Sequence, residues 1–289
     1  MMLPSPIRSY LFVPGNRPDR IEKAYDSAAD AMIIDLEDAV AESQKAAARE
    51  AVAKWLQEKR AAGSDGDPAS SFQKPVYVRV HAPDSRHWVD DLSWICECRP
   101  PALMLAKFES ADVLHALRAE NYKGKILPLV ESVRGVEAVS ELAGFVPQVE
   151  NVAFGSVDFA LDLGVRWSAT GEERAYAMAR LVYLSRLAGL ASPVDAAFPD
   201  VKNEEAFIAE ARRGLALGYF GKLLIHPAQI PPAHTIFQMD EKERNKHTAI
   251  VEAYEKKPQA GVVVVDGIMV DLPVYEASRA WLAKDSDHE

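Results

Sequence analysis

The chain has 289 residues, is 48% hydrophobic and carries a formal net charge of −10. This length and apolar content allow a large buried core, and the absence of a basic run argues against a nucleic-acid partner. No stretch approaches the roughly 18 apolar residues of a membrane span, and the N-terminus lacks an apolar signal core, so we expect a soluble, cytoplasmic protein. Cys96 and Cys98 lack a second ligand pair for zinc and are expected to be reduced thiols.

Short apolar runs alternate with helical patterns along most of the chain. Between them, the segment 61–75 is rich in Gly, Ser and Pro and is predicted to be a loop. Eight strand–helix alternations favour a (β/α)₈ TIM barrel over an open doubly wound sheet. We therefore predict a catalytic barrel over residues 1–235. The predicted strands are residues 9–13, 31–36, 76–80, 102–106, 126–130, 152–154, 191–198 and 222–225.

The last part of the chain, residues 236–289, does not continue the alternation. It contains a charged helical pattern at 240–257, the Gly-flanked apolar run GVVVVDGIMVDLP and a final helical pattern at 275–283. Because this segment is too short for an independent domain, we predict a C-terminal helical extension or lid. It would pack on the barrel of the same subunit or of a neighbouring one.

Two acids follow neighbouring predicted strands. Glu131 comes directly after KILPLV, and Asp158 comes shortly after NVAF, with a helical pattern between the two runs. A parallel pairing brings both trailing ends to the same edge of the sheet, where each carboxylate raises the pKa of the other unless a cation lies between them. A Mg²⁺ ion held by one or two carboxylates satisfies this arrangement. The alternative is that each acid caps the next helix or pairs with a nearby arginine.

Other polar side chains also follow predicted strands, at the end of a barrel where active sites lie. Arg79 has a planar fork suited to a substrate carboxylate, or it is a buried partner for Glu131 or Asp38. Lys107 is expected to neutralise nearby acids rather than to form a Schiff base, since those acids keep its amine protonated. Only one of Glu37 and Asp38 is expected to face the site. The remaining strand-end candidates are the turn Pro14-Gly15-Asn16, Asp195, and His226, which is expected to lock a turn.

Seven sequence motifs occur in a characteristic order. Together they resemble the CitE-like (citrate lyase beta-subunit-like) members of the HpcH/HpaI aldolase superfamily, with the malyl-CoA and citramalyl-CoA lyases, over about residues 8–282. The resemblance implies a Mg²⁺-dependent (β/α)₈ enzyme, commonly trimeric, that breaks or forms a carbon–carbon bond beside an acyl thioester. The motifs are RSYLFVPGNRPDR, DAMIIDLEDAV, VYVRV, LPLVESVRGVEAV, NVAFGSVDFALDLG, LGYFGKLLIHPAQI and GIMVDLP.

The resemblance also implies roles for individual residues. Glu131 and Asp158 match the metal ligands, and Arg79 matches the arginine that holds the keto-acid carboxylate. Asp271, in GIMVDLP, matches an aspartate that reaches a neighbouring subunit's site as acid/base. The residues that would border the pocket are Gly155, through its backbone, and the loop with Pro14 and Asn16.

Two positions near the expected pocket depart from the family pattern. Strand three usually carries Arg-x-Asn, whereas this chain has Arg79-Val80-His81. Strand four usually ends in Pro-Lys, whereas Ala106 precedes Lys107 here. Neither change removes an expected metal ligand, but both bear on the size and geometry of the substrate pocket.

From the residues and the resemblance together, we expect a Mg²⁺-dependent lyase that cleaves a 3-hydroxy-acyl thioester, such as citryl-, malyl- or citramalyl-CoA. The expected partners are a keto acid and an acyl-CoA or acyl-carrier-protein thioester, and the expected assembly is a homotrimer or a multiple of trimers. Two further functions stay open. One is an aldolase acting on free keto and hydroxy acids without CoA, and the second is a non-catalytic subunit or scaffold of a lyase complex.

Overall fold

The computed structural model describes residues 7–62, 72–257, 259 and 261–285. Most of the loop predicted at 61–75 lies outside these ranges. The chain forms two compact units, one over Ile7–His234 and one that begins at Thr235.

Within the described residues, the first unit contains seven parallel strands that pair in the order β6-β5-β4-β3-β2-β1-β7. The gap between β6 and β7 is bridged by Val194 and Asp195, which pair in parallel with Ala153 and Lys222, respectively. The ring is thereby closed, and the predicted (β/α)₈ barrel is confirmed, with the seventh predicted strand reduced to this short bridge. The strands are β1 (Ser9–Pro14), β2 (Ala31–Asp35), β3 (Val76–Val80), β4 (Ala102–Leu105), β5 (Lys125–Val130), β6 (Ala153–Phe154) and β7 (Lys222–Leu224).

Helices occupy the connections between the strands, and their ends follow local sequence signals. Ser132 caps the helix Val133–Ala138 (α5) by accepting the Gly135 N–H at 3.0 Å, and Asn203 caps the helix Glu204–Leu217 (α8) by accepting the Ala206 N–H at 3.1 Å. Gly218, with φ +107°, ends α8 in the left-handed region that favours glycine. The helices are α1 (Pro18–Tyr25), α2 (Lys45–Ala62), α3 (Trp88–Cys98), α4 (Asp112–Ala119), α5 (Val133–Ala138), α6 (Ser156–Asp162), α7 (Ala175–Leu187), α8 (Glu204–Leu217) and α9 (Ile230–Ile236).

Two apolar clusters lie on opposite faces of the barrel sheet, because successive strand residues point to opposite sides. In β3, Val76, Val78 and Val80 pack in the larger cluster with the helices, whereas Tyr77 belongs to the smaller cluster in the barrel interior. Since both faces are covered, the strands read as nearly continuous apolar runs. The interior cluster consists of Tyr10, Ala31, Ile33, Tyr77, Ala102, Met104, Leu127, Leu129, Ala153, Val194 and Leu223.

The second unit contains α10 (Glu241–Glu255), the antiparallel strands β8 (Val263–Val265) and β9 (Ile268–Val270), and α11 (Leu272–Asp285). The hairpin turn is made by Asp266 and Gly267, with φ of +48° and +80°, the combination that two-residue hairpin turns require. Among the helices described in both units, none has the length and apolar character that crossing a bilayer requires.

Candidate active site

Glu131 and Asp158 lie at the same end of the barrel. Glu131 is the first residue after β5, and Asp158 lies in the first turn of α6, which follows β6. Because β5 and β6 pair in parallel, both acids lie at the carboxyl ends of neighbouring strands, and they line one cavity of about 720 Å³. The rest of the cavity wall comes mainly from the end of β4, the connection that follows it and α4, with Trp88 and Phe108 as its largest apolar side chains.

Glu131 is buried, and this burial raises the pKa of its carboxyl group to about 8. The charges of Asp158 and Glu37 act in the same direction, whereas the charge of Arg79 lowers the pKa. The backbone N–H of Lys107 also lowers it, because it donates to Glu131 Oε2 at 2.9 Å. A carboxyl group in such a place is stabilised either by a proton or by a cation beside it.

Gly155 explains how Glu131 keeps its position. A Cβ atom at residue 155 would lie 2.4 Å from Glu131 Cγ and 2.6 Å from Oε1. Only glycine leaves room for the Glu131 side chain there. The acid after β5 therefore requires a glycine directly after β6, the neighbouring strand.

Six charged side chains form the site cluster at this end of the barrel. Four of them are carboxylates and two are cations, so two negative charges lack a counter-charge inside the cluster when Glu131 is ionised, and one when it keeps its proton. A divalent cation would supply the missing charge and displace that proton. The described residues contain no group of three or more His, Cys, Asp or Glu placed to hold a metal, so an ion on Glu131 and Asp158 would complete its shell with water or substrate oxygens, as Mg²⁺ commonly does. The members of the site cluster are Asp35, Glu37, Arg79, Lys107, Glu131 and Asp158.

Arg79 is held by an acid that sequence analysis missed. Its Nε and Nη2 donate to the two carboxylate oxygens of Asp35 at 2.7 and 2.6 Å, and its Nη1 lies 3.1 Å from Glu37 Oε2. The bidentate edge of the guanidinium is thus taken by Asp35, while Nη1 faces Glu37 and lies 3.8 Å from Asp38 Oδ2. Asp35 and Arg79 are register partners in the pairing of β2 with β3, and no local sequence signal reveals that register.

Glu37 and Asp38 are adjacent in sequence but differ in environment. The Glu37 side chain is 6% exposed and lies in the cluster, whereas the Asp38 side chain is 59% exposed. Lys107 Nζ donates to Glu37 Oε1 at 3.0 Å. Burial alone would lower the pKa of Lys107, but the hydrogen bond to Glu37 and the surrounding carboxylates raise it above its ordinary value. A protonated amine favours the neutralising role of Lys107 over a Schiff base.

Three of the predicted site residues line this cavity, namely Lys107, Glu131 and Asp158. The predicted residues of the barrel unit that are not among the lining residues are Arg79, Glu37, Asp38, Gly155, Pro14 and Asn16. Pro14 ends β1, and Asn16 donates through Nδ2 to Gln44 Oε1 at 2.5 Å. Asp271 belongs to the second unit, where its Oδ1 accepts the N–H of Val274 at 3.2 Å. The acid/base role of Asp271 and the pocket-bordering roles of Pro14 and Asn16 stay predictions.

Asp195 and His226, the last two strand-end candidates, have structural contacts. His226 Nδ1 accepts the N–H of Ala228 at 3.1 Å, a bond that fixes the turn after β7. Asp195 packs against α8 and pairs with Lys222 Nζ at 2.6 Å, with both side chains fully buried. A second group of buried charges, which we call the Lys222 cluster, consists of Asp195, Lys222, Glu210 and Arg174.

Comparison with known proteins identifies the family of this chain. The HpcH/HpaI aldolase/citrate lyase family matches residues 8–227. The chain belongs to this family. A citrate lyase subunit beta-like protein of Deinococcus radiodurans is 35% identical, covering 98% of this chain and 99% of that protein. A (3S)-malyl-CoA thioesterase of Cereibacter sphaeroides is 32% identical, covering 96% of this chain and 94% of that protein.

The structure of this HpcH/HpaI family member resembles a solved structure over nearly its whole length. CitE from Mycobacterium tuberculosis, in complex with magnesium, acetoacetate and coenzyme A, has a TM-score of 0.80 at 27% identity and covers 99% of this chain and 100% of that chain. The resemblance found in the sequence motifs is therefore confirmed. As a member of the family, the chain is an enzyme, a carbon–carbon lyase of the citrate lyase beta type.

Proposed function

We propose that this HpcH/HpaI family member is a Mg²⁺-dependent lyase that cleaves a 3-hydroxy-acyl thioester of the citryl-, malyl- or citramalyl-CoA type into an acyl thioester and a 2-keto acid. The observation that carries the proposal is the site cluster, whose carboxyl groups outnumber its cations beside a cavity of about 720 Å³. The CitE structure with magnesium, acetoacetate and coenzyme A supports it from a related protein.

Glu131 and Asp158 would hold the metal ion through their carboxylate oxygens. When bound, Mg²⁺ stabilises negative charge on the substrate oxygen that becomes the keto group. The Lys107 N–H orients Glu131 by donating to Oε2, and Gly155 leaves the space in which the carboxylate lies. Both features fix the direction in which Glu131 presents its second oxygen, Oε1.

The residues of the chain also orient the substrate and move its protons. Arg79 donates from Nη1 to the keto-acid carboxylate, while Asp35 holds the guanidinium in place. The hydroxyl proton of the substrate passes to a base, the Cα–Cβ bond breaks, and its electron pair stays with the thioester as an enolate. Asp271, from the same or a neighbouring subunit, then protonates that enolate as general acid.

The proposed partners are a 2-keto acid and an acyl-CoA or acyl-carrier-protein thioester, and the proposed setting is the cytoplasm. We further propose a homotrimer or a multiple of trimers. Self-association is supported by α7, where Tyr176, Tyr183 and Leu187 are exposed and share one helix face through their spacing. Large exposed apolar residues that cluster in this way are typical of protein interfaces.

A second candidate is hydrolysis of the same thioester. It is favoured by the relative of 32% identity that is a (3S)-malyl-CoA thioesterase. The two reactions differ in their products, because hydrolysis yields free CoA and the intact hydroxy acid, whereas the lyase yields an acyl-CoA and a keto acid. Product identity therefore separates the thioesterase from the lyase, and it also separates both from an aldolase on free acids and from a non-catalytic subunit.

The test is a product assay on malyl-CoA, (S)-citramalyl-CoA and citryl-CoA, and on the corresponding free hydroxy acids, with Mg²⁺ or with EDTA. We expect Mg²⁺-dependent release of acetyl-CoA and a keto acid from at least one of them. Release of free CoA and a hydroxy acid instead would establish the thioesterase. Cleavage of free hydroxy acids would establish the aldolase. No cleavage and no Mg²⁺-dependent thermal protection by glyoxylate, pyruvate or oxaloacetate would overturn the proposal in favour of the non-catalytic subunit.

A further inference from the structure

His81 lies between two segments that form the cavity wall. It follows Val80, the last residue of β3, whose carbonyl oxygen accepts the N–H of Ala106 at 3.2 Å. Ala106 lines the cavity, and so do Pro83, which follows His81 in the β3–α3 connection, and Trp88, the first residue of α3. His81 is not itself a lining residue, but its neighbours along the chain and across the sheet are.

A buried carboxylate fixes the imidazole of His81. Asp91 Oδ2 accepts the backbone N–H of His81 at 2.9 Å and lies 2.6 Å from Nδ1, while Asp91 Oδ1 accepts from Arg49 Nη1 at 2.8 Å. Asp91 is fully buried. Because a carboxylate accepts hydrogen bonds and cannot donate them, the hydrogen of the neutral imidazole lies on Nδ1. Arg49 also donates from Nη2 to Asp90 Oδ2 at 3.0 Å, so the guanidinium is shared by two carboxylates.

The second ring nitrogen of His81, Nε2, takes no part in this hydrogen-bond network. Nε2 is buried and has no hydrogen-bond partner among the residues that the structure describes. The nearest ring is that of His87, with centroids 4.7 Å apart, but His87 Nε2 is already 2.9 Å from Glu42 Oε1. A buried acceptor without a partner is rare and calls for an explanation. A smaller donor such as an asparagine amide would serve Asp91 equally well.

We propose that His81 determines specificity for the hydroxy form of the substrate, by accepting a hydrogen bond from its hydroxyl group at Nε2. The inference rests on the proposed function, since the hydroxyl is the group that a 3-hydroxy-acyl thioester loses when it becomes a keto acid. An imidazole with its hydrogen on Nδ1 presents only a lone pair at Nε2, and a lone pair binds O–H but not a ketone oxygen. Binding would bring the hydroxyl to the wall near Ala106 and Pro83.

The test compares two ligands that differ only in this group, malate and oxaloacetate, by calorimetric titration in the presence of Mg²⁺. The variant is His81→Asn, whose amide can keep the bond to Asp91 but lacks Nε2. We expect an about tenfold weaker affinity for malate, the loss of one hydrogen bond, with the affinity for oxaloacetate unchanged. His87→Asn is the matched control, and it is expected to bind both acids like the wild type.

A second variant, Asp91→Asn, tests the same claim by another route. Its amide can donate to Nδ1, which leaves the hydrogen on Nε2 and removes the acceptor, so we expect the same selective loss of malate binding. Thermal melting identifies any variant that does not fold. If both acids bind His81→Asn as well as the wild type, or both weaken equally, the proposal is overturned. A wild type that binds neither acid overturns it as well.

The lyase proposal and the His81 proposal fail in different experiments. A wild-type protein that binds malate and oxaloacetate but cleaves no thioester contradicts the lyase, and the calorimetric comparison still decides the role of His81. A wild type that cleaves a thioester, together with a His81→Asn variant of unchanged malate affinity, contradicts only the role of His81.

Discussion

Two groups of buried charges in the barrel differ in the balance of their fully buried charges and in their access to a cavity. In the Lys222 cluster, two cations meet two fully buried carboxylates: Lys222 Nζ lies 2.6 Å from Asp195 Oδ2, and Arg174 Nη2 lies 3.1 Å from Glu210 Oε1. All four side chains are at most 2% exposed. Arg174 also pairs with Glu173, whose side chain is 13% exposed. The site cluster holds four carboxylates and two cations, and it borders a cavity.

This difference distinguishes a buried acid with a structural role from a buried acid that is a candidate for function. Asp195 and Glu131 both come at the end of a barrel strand, so their sequence positions are equivalent. Asp195 has a lysine at 2.6 Å, whereas Glu131 has a pKa of about 8, raised first by its burial. The counter-charge that Glu131 lacks, and not its place on a strand, marks it as the candidate for a metal ligand.

The largest expected effect comes from removing the charge of Glu131. In Glu131→Gln, we expect the rate of Mg²⁺-dependent thioester cleavage to fall at least about 10³-fold, because the stabilisation that a metal supplies to a developing oxyanion is several kcal/mol. Mg²⁺-dependent thermal protection should be lost as well. The same substitution in the Lys222 cluster, Glu210→Gln, is the control and should keep the Mg²⁺ response. If both variants keep it, the contrast between the clusters is wrong.

The second effect concerns the Lys222 cluster. Lys222→Met leaves Asp195 buried without its partner, so we expect the free energy of unfolding to fall by about 3–5 kcal/mol. Denaturant unfolding measures this change. The double variant Lys222→Met/Asp195→Asn should recover part of the loss, and both should bind Mg²⁺ with wild-type affinity if they are folded. A weaker Mg²⁺ affinity in the folded variants would show that the clusters are not separate.

The third effect is on the pH dependence of stability. The pKa of Glu131 in the folded protein, about 8, lies above its ordinary value of 4.5, so the folded state binds more protons than the unfolded state between these values. Without Mg²⁺, stability from this group is present below about pH 4.5 and is lost as the pH rises through about 8. At pH 8.5, Glu131→Gln should therefore be roughly 2–4 kcal/mol more stable than the wild type. Equal pH profiles for the two proteins would argue against a buried, uncompensated acid.

The smallest effect tests the anchor of Arg79. Asp35→Asn keeps one acceptor for the guanidinium but removes the bidentate ion pair, so Arg79 is held less firmly. We expect the affinity for oxaloacetate to fall about tenfold, the range of one charge-assisted hydrogen bond, with Mg²⁺ affinity little changed. Calorimetric titration of both ligands checks this. An unchanged oxaloacetate affinity would mean that Arg79 does not hold the keto acid.

The barrel and the proximity of Glu131 to Asp158 could be predicted from the sequence because both depend on regular patterns. The alternation of apolar runs and helical spacing specifies the strands, and parallel pairing then places the ends of β5 and β6 side by side. The short bridge at Val194–Asp195 was predicted as a full strand, because the apolar run there continues beyond the two paired residues. The hairpin β8–β9 was recognised only as an apolar run.

The rest of the site depends on three-dimensional contacts that a single sequence does not encode locally. The contact between Asp35 and Arg79 could not be predicted, because it depends on the register of β2 with β3. Whether Asp195 faces the cavity or α8 depends on a strand too short for a reliable alternation of sides, and Gly214 decides it by letting α8 approach. Glu37 and Asp38 are adjacent in sequence, and only their burial in the folded chain shows that Glu37 and not Asp38 belongs to the site cluster.

The most direct test of the central claim is a calorimetric titration of Mg²⁺ at pH 7 in two buffers with different ionisation enthalpies, which counts the protons released on binding. A carboxyl group with a pKa of about 8 is mostly protonated at pH 7. Mg²⁺ binding to Glu131 should therefore release protons, and binding to Glu131→Gln should release none. Binding without proton release, or binding that Glu131→Gln leaves intact, would contradict the assignment of this buried acid as the metal ligand.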